Sequence, residues 1–146
     1  MTKKITLGAL LIGLCIVFQS CGGVVAGMAN RQIINEDTTE YVETKMQGFE
    51  QYDPTEAQKV EMRKIQLEYI TELKENARKE KTGEVSNSAS LKVMDWLSYK
   101  KEAQIIALLN KDQLRKFRLE GGGASEREHL KHRKRVAKMG YNVDNL

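Results

Sequence analysis

From Thr55 to Thr82 the chain carries neither glycine nor proline, and the residues leading into this stretch, "QYDPT", hold the signals that open a helix. Asp53 can cap, Pro54 suits the first helical position, and Glu56 stands where a capping-box carboxylate reaches back. Thr55 with Gln58 offers a second capping box two residues later, in which hydroxyl and amide oxygen each accept from the other residue's backbone N–H. The run predicts one long helix over 54–81. At about 100° per residue, Glu61, Lys64, Glu68, Thr71, Glu72 and Glu75 fall on a polar stripe. Val60, Met62, Ile65, Leu67, Tyr69, Ile70 and Leu73 occupy most of the remainder. That apolar arc is wider than one neighbouring helix needs. Either the helix lies between two others, or part of the arc meets a partner.

A second long helix follows over 89–109, carrying Val93, Met94, Trp96, Leu97, Ile105, Ile106, Leu108 and Leu109. Trp96 is the only tryptophan, and its expected role is a core anchor. The loop between the two helices, "KTGEVSNSAS", is short enough to force an antiparallel pair. Asn110 and Gln113 open a further helical segment with Leu114 and Phe117 on its apolar side, while Asp37 and Glu40 open a short one ahead of Gly48. Charged residues at 30%, aromatics at 6% and a single proline fit an all-α hairpin or bundle rather than a sheet. No Walker loop, nucleotide fingerprint, nucleophile elbow or zincin motif is present, so the composition points to no enzyme and no cofactor.

The segments "PTEAQ" (54–58) and "LNKDQ" (109–113) repeat one pattern, a cap followed three residues later by glutamine. In this the chain resembles the LTxxQ-motif periplasmic proteins, the Spy/CpxP group. The resemblance covers about 50–120. It departs from the motif where Pro54 replaces the first leucine and Asn110 replaces the second threonine; both changes keep the capping chemistry. The resemblance implies a small exported helical protein with chaperone-like or stress-related binding of other proteins, and Asp53, Thr55, Gln58, Asn110 and Gln113 as the caps of its motif.

The amino-terminal end agrees with export. Lys3 and Lys4 precede an uncharged apolar run from Ile5 to Phe18, and "QSCGG" follows. This order resembles a lipoprotein signal peptide of the Bacteroidetes type, cleaved after Ser20 so that Cys21 carries the acyl (palmitate-type) chains. Residues 1–20 would then be the signal and 21–36 a tether to a helical domain at 37–120. Other readings stay open: an uncleaved transmembrane anchor over Ile5–Ala29, a simple cleavage after Ala26 or Ala29, or a Cys15–Cys21 disulfide. Loss of Lys3 and Lys4 lowers the net charge from +4 to +2. Overall basicity therefore gives no argument for nucleic acid, which export also disfavours.

The positive charge is instead local: nine basic and three acidic residues lie between Arg115 and Lys138. Gly121–Gly123 reads as a flexible hinge, and 124–139 as a basic helix started by Ser125 and Glu128. Its Arg127, Lys131, Lys134, Arg135 and Lys138 suit either a solvated tail or contact with an anionic surface. His129 and His132 are the only metal candidates, and the surrounding Lys and Arg repel a cation. The expected protein is a non-enzymatic, lipid-anchored, periplasm-facing envelope protein that binds a client or partner protein. The alternative is a structural adaptor or small subunit of an envelope complex, held by lipid at one end and the basic helix at the other.

Overall fold

The computed structural model describes residues 32–120, 124–144 and 146. Residues 1–31, with the expected signal segment and Cys21, and Gly121–Gly123 lie outside the described residues, so the expected lipid anchor and hinge fall there too. The described chain is all-α: α1 (Thr38–Gln47), a 3₁₀ turn at Glu50–Tyr52, α2 (Glu56–Thr82), α3 (Asn87–Leu108), α4 (Lys111–Glu120) and α5 (Ala124–Lys138). Among the described residues no helix is long and apolar enough to cross a membrane.

Of the two caps offered before α2, Thr55 is the one used. It holds an extended backbone (φ −65°, ψ 159°) and accepts from the Gln58 N–H, so Pro54 sits before the cap rather than at the first helical position. Asp53 does not cap: it takes the left-handed conformation (φ 50°), and its carboxylate turns to Lys116. α2 ends at Gly83, whose φ of 78° needs glycine.

α3 begins earlier than expected. Ser86 caps the N–H of Ala89 at 3.2 Å, and the polar "NSAS" becomes its first turn. Ser90 is fully buried; its hydroxyl receives a bond from the Asn76 side-chain amide at 2.9 Å and donates to Glu80 at 2.9 Å. Polar residues that resemble a loop in the sequence are here the lock between two helices.

α2 and α3 run antiparallel, since Asn76 meets Ser90 near one end and Gln58 meets Leu108 at the other. α1 packs on α2, and Val42, Met46, Met62, Ile65, Ile70 and Ile105 form the core. The wide apolar arc of α2 is thus covered by α1 on one side and α3 on another. Val60 and Leu67 remain 61% and 50% exposed.

α5 is not the solvated tail that one of the two sequence readings expected. It is docked on α3 with Val136 fully buried. Its apolar residues are too few to predict this, and the contact is made instead by rings and ion pairs. Tyr141, just past α5, stacks on Trp96 with centroids 4.8 Å apart and planes parallel within 1°. Trp96 is therefore half-buried at this contact, and the deeply buried aromatic of α3 is Tyr99.

Candidate functional site

The two cap-x-x-Gln segments meet in space. In the first, Thr55 N–H donates to Gln58 Oε1 at 2.9 Å and Gln58 N–H to Thr55 Oγ1 at 3.2 Å. In the second, Asn110 N–H donates to Gln113 Oε1 at 3.0 Å and Gln113 N–H to Asn110 Oδ1 at 2.9 Å. The two glutamine amides then pair reciprocally: Gln58 Nε2 donates to Gln113 Oε1 at 2.8 Å, and Gln113 Nε2 to Gln58 Oε1 at 3.0 Å. The remaining amide hydrogens go to backbone, from Gln58 to Leu108 C=O at 2.6 Å and from Gln113 to Asp53 C=O at 3.1 Å. Each amide uses two acceptor and two donor positions, a complete set. Gln113 is 5% exposed, and burying it without those partners would be costly.

Asp53 closes the rim of this clasp. Its side-chain hydrogen bond with Lys116 holds its carboxyl below the ordinary aspartate range. Tyr52, one residue earlier, is buried edge-on against Phe117 at 5.9 Å. The clasp therefore ties the start of α2, the end of α3 and the start of α4 into one corner. At its centre stand two amides with no titratable group, an arrangement suited to holding helices in register rather than to moving protons.

A second cluster lies between α3 and α5. Arg135 grips Asp95 with two bonds of 2.6 Å each, which is the main reason the Asp95 carboxyl is depressed; the neighbouring His132 contributes further. His132 Nε2 is 2.9 Å from the Asp95 carbonyl and 3.1 Å from its carboxylate. Tyr99 lies between the imidazoles, stacked on His129 at 5.3 Å and edge-on to His132 at 5.5 Å. His129 Nδ1 approaches Glu102 at 3.3 Å but lacks hydrogen-bond alignment. Among the described residues no group of three His, Cys, Asp or Glu side chains is placed to hold a metal ion. The two histidines face tyrosine and the carboxylates of α3, as docking contacts.

The five basic candidates of α5 divide. Arg135 is consumed by Asp95. Arg127, Lys131, Lys134 and Lys138 stay exposed, with Lys131 also touching Glu128 at 2.7 Å. Sequence reasoning missed Asp95, Tyr99 and Glu102, because their partners lie far along the chain and no local pattern marks the pairing. No family model matches this chain, and no curated protein or solved structure matches it significantly.

Proposed function

We propose that this is a non-enzymatic protein of the cell envelope, anchored through acylated Cys21 and facing the periplasm, that binds other proteins in a chaperone-like or stress-related role. The observation that carries the binding half is the outer face of α2. Val60 and Leu67 stand one heptad apart and largely exposed, and Leu67 borders a groove lined by Val42, Thr38, Thr39, Glu43, Arg63 and Lys64. Apolar side chains left uncovered beside a groove with mixed charge suit loose capture of extended, partly apolar segments. The paired cap-x-x-Gln segments and the order of the amino-terminal residues support the envelope half.

The adaptor reading is favoured by one observation, the fixed docking of α5 on α3, which presents a defined surface. A mild-detergent pull-down of the membrane-bound chain separates these readings. The expected bait carries acyl chains on Cys21 by intact mass and brings down varied unfolded proteins, and Val60→Asp with Leu67→Asp loses most of them. A bait retaining Met1 rejects the lipid anchor. One stoichiometric partner, unaffected by the two substitutions, rejects the client reading in favour of the adaptor.

A further inference from the structure

The docking of α5 decides which of its cations are spent and which are presented. At about 100° per residue, positions 127, 131, 134 and 138 fall within roughly 60° of one another, and positions 129, 132 and 136 lie on the opposite side. The structure follows this division. Val136 is buried and His129 and His132 face α3. Arg135, at the flank, is taken by Asp95, and Arg133 by Asp144. Arg127, Lys131, Lys134 and Lys138 form an outward stripe, in which Lys131 also meets its helix neighbour Glu128 at 2.7 Å. Beside it Leu130 is 49% exposed, one of the few large apolar side chains on the surface among the described residues. A leucine set among lysine and arginine stems on a helix lying along the protein suits the water–lipid boundary, where the stems cover apolar surface and the charged heads reach anionic headgroups.

We infer that the outer face of α5, formed by Arg127, Leu130, Lys131, Lys134 and Lys138, rests on an anionic lipid headgroup surface and thereby orients the bundle. The contacts of α5 with α3 fix that orientation, so the exposed face of α2 is held at a set angle to the bilayer. The inference goes beyond the protein-binding reading and does not depend on acylation.

Flotation of the full chain with vesicles tests it. Any contribution of the apolar amino-terminal segment is common to pure phosphatidylcholine vesicles and to vesicles containing phosphatidylglycerol, so the difference in affinity reads the charge-dependent part. One basic side chain near an anionic surface contributes roughly fivefold. The wild-type chain should therefore favour the anionic vesicles by more than tenfold at low salt. The preference should vanish at about 0.5 M salt, where the screening length is about 4 Å. Lys131→Glu with Lys134→Glu and Lys138→Glu should abolish it; Leu130→Ser should weaken affinity for anionic vesicles with the helical spectrum unchanged. Equal reversal elsewhere, Lys64→Glu with Lys81→Glu and Lys111→Glu, should leave most of it intact. Equal affinity of the wild type for both vesicle types overturns the inference. So does equal loss in the two triple variants, which would make net charge the cause, or binding to polyglutamate without vesicle preference, which would assign the face to an acidic protein.

Discussion

Gln58 and Gln113 are the residues whose chemistry is most completely accounted for, because each satisfies the other and its own helix cap at once. Replacing one leaves the partner's amide short of a donor and an acceptor and also strips a cap. Gln113→Ala should therefore cost about 2–3 kcal/mol, combining unsatisfied groups with a lost capping contact. Gln58→Ala should cost a similar amount. The double replacement should cost about 1–2 kcal/mol less than the two added together, since the second removal has no paired amide left to orphan. Urea unfolding of the four chains measures this coupling, and simple additivity would show two independent caps. The separate capping boxes are legible in the residues 55–58 and 110–113, as is the helical character of each segment. Their pairing is not: it joins positions 55 residues apart, and nothing local to either glutamine specifies the other.

At the scale of elements, α5 shows how a helix poor in apolar residues still docks. Leu130, Val136 and Met139 do not make a strong face, and only Val136 is buried. Tyr99 between two imidazoles, Tyr141 on Trp96 and the doubly bonded Arg135–Asp95 pair take the place of an aliphatic seam. Such contacts are invisible to a periodicity argument, which counts Arg and His as solvated. The early start of α3 has the same origin, a buried serine that accepts from Asn76 and donates to Glu80 across the hairpin. Asp95 also sets a pH dependence. Its carboxyl is depressed chiefly by Arg135, so the docked state binds fewer protons than the undocked state near the ordinary aspartate range. The stabilisation is then present above about pH 4 and lost as the pH falls through the lowered titration of Asp95. Emission of Trp96, the only tryptophan, reports the contact with Tyr141. It should hold steady from pH 5 to about 4 and shift below that. Asp95→Asn should show the shifted emission already at neutral pH and little further change in acid. An identical acid step in that variant would remove Asp95 from the account.

At the scale of the whole molecule, α1, α2 and α3 share one core, and the corner clasp and α5 extend it on two sides. On the proposed reading, stability and binding should consequently be separable on α2 itself, one face of which is buried in the core while Val60 and Leu67 are exposed on the other. Ile65 is buried in the core cluster and Leu108 packs against it. Removing both side chains should lower stability by about 4 kcal/mol, through lost transfer energy and the cavity left between α2 and α3. Val60 and Leu67 point away from that core. Val60→Ser with Leu67→Ser should change unfolding by no more than about 1 kcal/mol, as befits surface sites. The same pair should sharply reduce binding of an apolar dye or an unfolded client. A chain unfolding at much lower urea after the second pair of substitutions would mean that the outer face of α2 contributes to stability and is not a free binding face. Unchanged stability with unchanged client binding would leave the α2 face without a role and place the binding surface on α3 or α5.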